Sequence, residues 1–227
     1  MTIFLFTIRR CFRNIMNIIL LCVLPFIVIL MPNEEWTLLP LGFQLYGVVL
    51  FFAAARITSI IMEDRTKGVL MRIGVAPVTH LQYLWQNLLA YSLILIVQIV
   101  VVIAGGILYG HDLINPFLLL VVYVLFALTA IGFSLAWFSL FRHKETAFVV
   151  LMSSIMLMTM AGGMIWSVEL MPELLQRLAM LFPTYWLAES LIIVATQADP
   201  TELAVPFVVL LLFTAAFLVI GSKRRLS

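Results

Sequence analysis

Six long apolar runs separated by short polar intervals organise this chain, at 14–31, 36–55, 83–108, 116–141, 146–168 and 203–220. A bilayer core of ~30 Å takes about 20 mostly apolar residues of helix at ~1.5 Å rise each, so each run is read as one membrane crossing. The intervals carry the remaining information. "MTIFLFTIRRCFRN" mixes apolar residues with a basic cluster, the pattern of a short helix (1–13) lying in the inner interface before the first crossing. A plain basic anchor is the other reading. The next run, "LLCVLPFIVILMPNEEW", has no small-x-small cleavage site and is therefore taken as a retained span, with Pro25 expected to bend it and Pro32 marking its outer end.

The polar side chains inside the runs are few. Gln82, Asn87 and Gln98, with "AGG" at 104–106, mark the third run as one that packs through amides and small residues. For Gln98 a pathway-facing role stays open beside packing. "YGHDLINP" is read as a tight, solvated outer turn, because His111 and Asp112 have no other metal-type neighbours. The fifth run holds Met152, Met156, Met158, Met160 and Met164, either gap-fillers between helices or a soft surface for apolar ligands.

After Gly162 the pattern changes. "GGMIWSVELMPELLQRLAMLFPTYWLAESLIIVATQADPTE" is too polar and Pro-interrupted for one straight span and too apolar for a free loop. It reads as a re-entrant outer region (169–198) of short helical pieces, with Trp166, Tyr185 and Trp186 at headgroup depth. Asp199, Pro200 and Glu202 have the order of an N-cap, a first-position proline and an N3 glutamate opening the last helix.

Composition agrees with lipid as the solvent: 64% hydrophobic and 11% charged residues. Charge then orients the chain. With both termini cytoplasmic, the inner side holds Arg9, Arg10, Arg13, Arg56, Arg65, Lys67, Arg72, Arg142, Lys144, Lys223, Arg224 and Arg225, and the outer side only Arg177. The net charge of +2 therefore reports membrane orientation and implies no nucleic-acid partner. Cys11 and Cys22 are too few and too placed for a disulfide framework or metal cage; both are read as structural, with acylation of Cys11 the alternative. No catalytic constellation, metal-ligand cluster or P-loop is present, and the spans hold almost no ionisable residue apart from Arg56 at a membrane edge. An all-α, multi-pass protein of one membrane domain (1–227) is expected, drawing its power from another chain.

Between the second and third runs lies "MEDRTKGVLMRIGVAPVTH" (62–80), where charges of both signs crowd together. Glu63 and Lys67 are spaced as an i,i+4 pair, Val69, Leu70 and Ile73 give an apolar side, and Gly74 is placed to end a short helix over 63–74. An ordinary amphipathic loop anchored at the interface is the alternative. The order Glu63, Gly68, Arg72, Pro77 resembles the "E-x4-G-x3-R-x4-P" run of ABC transporter type-2 permeases. The progression "GG … P … L-F-P-T" before the last span is similar to that family's outer re-entrant region, so the resemblance covers nearly the whole chain.

The resemblance implies a half-transporter: a cell-membrane subunit that exports a hydrophobic or amphipathic substrate such as a drug, peptide, lipid or lipid-linked glycan. It implies a second permease subunit, the same or different, and two separate ATPase subunits that bind Mg-ATP, with no cofactor on this chain. The helix after the second span would be the coupling helix, with Glu63, Gly68, Arg72 and Pro77 matching the motif and Asp64, Arg65 and Lys67 adding charge for the ATPase. Gln98, Met160, Trp166, Tyr185 and Glu189 are candidate pathway or outer-gate residues. A carrier or channel that needs no ATPase is the main alternative, and a membrane enzyme or sensor subunit a third. Many drug-type relatives have a large extracellular domain between the first two spans, where this chain has only Pro32 to Glu35.

Overall fold

The computed structural model describes residues 2–32, 39–66, 80–141 and 143–223. These fold into helices with no strand among them. In chain order they are α1 (Thr2–Arg13), α2 (Ile15–Leu30), α3 (Leu41–Thr58), α4 (Ile60–Thr66), α5 (His80–Tyr109), α6 (Pro116–Leu140), α7 (Lys144–Ala161), α8 (Glu173–Ala179), α9 (Pro183–Ala195) and α10 (Ala204–Lys223). Two 3-10 turns, Val168–Leu170 and Pro200–Leu203, precede α8 and α10. Five helical segments are long and apolar enough to cross a membrane, and two bent pairs, α1 with α2 and α8 with α9, raise that to as many as seven. The chain is a multi-pass membrane protein on that ground.

Helix α6 forms the centre. Its 25 residues follow the cap Asn115, whose side chain accepts from the Leu118 N–H at 3.3 Å, and open on Pro116, which has no N–H to leave unbonded. Leu119, Val122, Phe126, Ala130, Ile131 and Phe138 are buried along its length, against α3, α5, α9 and α10. Aromatic edges knit α3 to it: Tyr46 meets Tyr123 at 5.0 Å and Phe51 meets Phe126 at 5.6 Å, both near perpendicular. Because lipid is as apolar as leucine, such packing and buried hydrogen bonds hold membrane helices together in place of the hydrophobic effect. Tyr123 Oη donates to the Phe43 carbonyl at 2.6 Å. Thr129 joins α6 to α10 through the Leu210 carbonyl at 3.0 Å and the Thr214 hydroxyl at 3.0 Å.

Small residues allow close approach where the end of α2, the start of α3 and the end of α5 meet. A Cβ on Gly42 would stand 2.1 Å from the Val28 carbonyl oxygen, one on Gly105 2.5 Å from Ile29, and one on Gly106 2.3 Å from Phe43. The glycines of "AGG" thus serve helix contact. The turn that follows corrects the sequence reading. His111 is buried, its Nε2 donates to the Ile29 carbonyl at 2.8 Å, and its ring meets the edge of Phe43 at 5.7 Å. Ile29 lies in the last turn of α2, where carbonyls lack helical partners, so His111 satisfies a helix end. The solvated loop expected there extends only to neighbours such as Asp112, which is exposed.

Candidate functional site

The basic end of the bundle collects charged side chains from three elements. Helix α3 passes through a turn at Ser59, whose hydroxyl donates to the Arg56 carbonyl, into α4. Ile57, Ile60, Ile61 and Met62 are buried, so this rod is packed well past Arg56. Glu63 follows. One carboxylate oxygen accepts from Lys144 Nζ at 2.5 Å and the other stands 3.8 Å from the Arg10 guanidinium, with Glu63 about a quarter exposed. Glu63 therefore ties α4 to α1 and to the first residue of α7. Asp64 and Arg65 lie in α4, while Lys67, Gly68, Arg72 and Pro77, and with them most of the 63–74 helix, lie outside the described residues. The α6–α7 corner is pinned close by, where Trp137 Nε1 donates to the Ala147 carbonyl at 3.1 Å.

Helix α1 meets α2 at 76°. Thr7 Oγ1 donates to Asn87 Oδ1 of α5 at 2.9 Å, and Asn17 Nδ2 to the Cys11 carbonyl at 3.4 Å. Burial pushes the Cys11 thiol up to about 12, against the smaller opposing pull of Arg10, so it stays protonated and unreactive at neutral pH. Cys22 is exposed on α2. Farther along the α2–α5 seam, Gln98 is buried and its Nε2 donates to the Leu21 carbonyl at 3.3 Å. Pro25, four residues on, has no N–H to give that carbonyl, and Gln98 supplies the missing donor.

At the other end, α7 stops at Gly162, and Gly163 turns the chain with φ +82°. Thr184 Oγ1, one residue into α9, donates to the Met158 carbonyl at 2.5 Å, and a Cβ on Gly162 would stand 2.1 Å from that hydroxyl. The two ends of the "GG … P … L-F-P-T" progression are thus one contact. Helix α8 turns 93° into α9 and leaves Leu174, Leu175 and Leu178 exposed, while Gln176 Nε2 closes its loop onto the Met171 carbonyl at 2.8 Å.

The other outer candidates are spread out. Met160 is half-buried near the end of α7, Trp166 is 42% exposed, and Tyr185 and Glu189 are half-buried on α9, with Tyr185 edge-on to Trp186 at 5.3 Å. Met158 and Met164 are buried while Met156 is exposed, so the methionines of this region form no single surface. Asp199 caps its 3-10 turn by accepting from the Thr201 N–H at 3.0 Å, which holds its carboxyl below the usual range. Among the described residues no cluster of His, Cys, Asp or Glu could hold a metal ion.

Sequence spacing missed the Arg10–Glu63–Lys144 junction, in which Glu63 and Lys144 alone lie 81 residues apart. The one available signal was that all three sit on the basic side of the charge count.

Comparison with known proteins places this architecture. The family model described as "ABC-2 family transporter protein" matches residues 37–223. The chain is also similar to the Linearmycin resistance permease protein LnrN of Bacillus subtilis (strain 168), with 27% identity over 184 residues, which are 80% of this chain. It spans 47% of the length of that curated relative. With the family model matching well over half of its residues, this chain belongs to the ABC-2 family of transporter proteins.

Proposed function

We propose that this chain is the six-span membrane subunit of an ATP-driven exporter, with both termini in the cytoplasm of a cell whose plasma membrane it crosses. It pairs with a second permease subunit and with two ATPase subunits, which carry the Mg-ATP. The observation that carries this reading is family membership over residues 37–223. The packing gives it support: α7 and α10 leave most of their apolar surface uncovered by the rest of the chain, as expected of a subunit that meets lipid and a second permease. Helix α4 opens the segment that meets the ATPase, and Lys67, Gly68, Arg72 and Pro77 lie within it. Cargo is apolar or amphipathic, as the likeness to this transporter family implies, and the resistance named for the Bacillus relative favours a drug-like compound.

Affinity-tagged chain, co-expressed with its candidate ATPase, is expected to copurify with it and to raise survival of cells in linearmycin. Arg72→Glu should weaken that copurification. Transport by vesicles containing the permease and no nucleotide-binding protein would overturn the reading in favour of a carrier or channel.

A further inference from the structure

Lys144 occupies a position that its own helix disfavours. It is the first residue of α7, where the helix dipole presents its positive end and an acidic side chain is preferred. Its Nζ reaches across to Glu63 of α4 at 2.5 Å, with Arg10 of α1 on the other carboxylate oxygen. The long-range pair accounts for the placement where local helix chemistry does not.

Helix α7 is also attached to the chain in an unusual way. It packs through one narrow stripe, Ala147, Leu151, Ile155 and Met158 with Thr159, and exposes Val149, Leu157 and Met156. At one end it is tethered through Lys144; at the other, Thr184 of α9 holds the Met158 carbonyl in the gap left by Gly162. A rod of 18 residues is ~27 Å long, close to the thickness of a bilayer core. The helix therefore joins the start of the ATPase-facing segment to the outer re-entrant region by polar contacts at both ends, and within this chain it packs sideways only through that stripe.

We propose that Glu63 and Lys144 are positioning residues for transport, forming the ionic link through which displacement of α4 is passed to α7 and, by way of Met158 and Thr184, to α9 at the outer end. This rests on the exporter reading above. Arg10 holds the carboxylate from the α1 side, so the amphipathic N-terminal helix supports the link without lying on the route.

The test uses the full permease–ATPase complex in nanodiscs, with Cys22→Ser and Leu157→Cys so that an environment-sensitive bimane label reports on the exposed outer part of α7. Trapping with ATP and vanadate is expected to shift the bimane emission in the parent. In Lys144→Gln and Lys144→Glu the shift should fall by at least about five-fold, the low end of measured couplings between sites, while vanadate trapping and ATPase copurification persist. Lys144→Arg, which keeps a cation facing Glu63, should restore it to within about two-fold of the parent. A parent that shows no shift, a full shift in Lys144→Gln, or a Lys144→Arg protein that assembles and traps without recovery each overturns the proposal. Failure of the ATPase to associate with the unaltered permease strikes instead at the exporter reading beneath it.

Discussion

Replacing Gln98 tests whether a proline-broken hydrogen bond in one helix is repaired by a side chain from another. In the native chain the Leu21 carbonyl lacks the Pro25 donor and receives Gln98 Nε2 at 3.3 Å, while Gln98 Oε1 is buried without a hydrogen-bond partner. Hydrogen bonds between membrane helices are worth ~0.6 kcal/mol on average and up to ~1.7, so this bond contributes about 1 kcal/mol. Gln98→Leu removes it and orphans Leu21, though it also relieves the buried Oε1. Pro25→Ala supplies a backbone N–H in the helical position to reach Leu21, so the same Gln98→Leu change should then cost nothing or stabilise. Relief of Oε1 and the small void at residue 25 occur on both sides of the cycle and cancel. The expected coupling is ~1 kcal/mol, read from reversible unfolding of the four proteins in mixed micelles titrated with SDS and followed by far-UV circular dichroism. Additivity within ~0.3 kcal/mol, the behaviour of independent sites, would refute the repair.

Gly162→Ala should lower stability by about 1–3 kcal/mol, seen as an earlier thermal midpoint in detergent, because its Cβ would fall 2.1 Å from Thr184 Oγ1. Thr184→Ala added to it should recover part of that loss. Tyr123→Phe removes a buried 2.6 Å bond to the Phe43 carbonyl and should cost about 1–2 kcal/mol in the same assay. A maleimide should spare the buried Cys11 at about pH 7.5 and label it after denaturation. Since burial raises the Cys11 pKa to about 12, that thiol favours the fold fully below the ordinary thiol range, and its contribution is lost as pH rises from there toward 12. Stability of the native chain should accordingly fall more steeply than that of Cys11→Ala above pH ~9.

The apolar runs were long enough to be read without neighbours, which is why helices in membrane-spanning number could be expected from spacing alone. Contacts between helices could not. Gln98 and Pro25 were each noticed separately, yet nothing in the sequence says that one faces the carbonyl the other vacates. His111 misled because a polar residue in a Gly- and Pro-flanked turn ordinarily faces water, whereas here the nearby end of α2 needs a donor. The "GG" and "L-F-P-T" fragments were legible as a motif, and only the fold shows that they touch. At the basic end, Glu63 was singled out for its place in a motif, but its partners come from the chain's first helix and from α7, a distance that no helical periodicity encodes.

The closeness of Gly42 to the Val28 carbonyl has a consequence for how such a bundle can be elaborated. Backbone from the end of α2 and the start of α3 is already in contact through residues of the helices themselves. Loop-closure entropy grows only slowly with length, by ~0.6 kcal/mol per doubling. A whole folded module whose own termini lie near each other could thus be grafted between α2 and α3, leaving the packing of those two helices undisturbed.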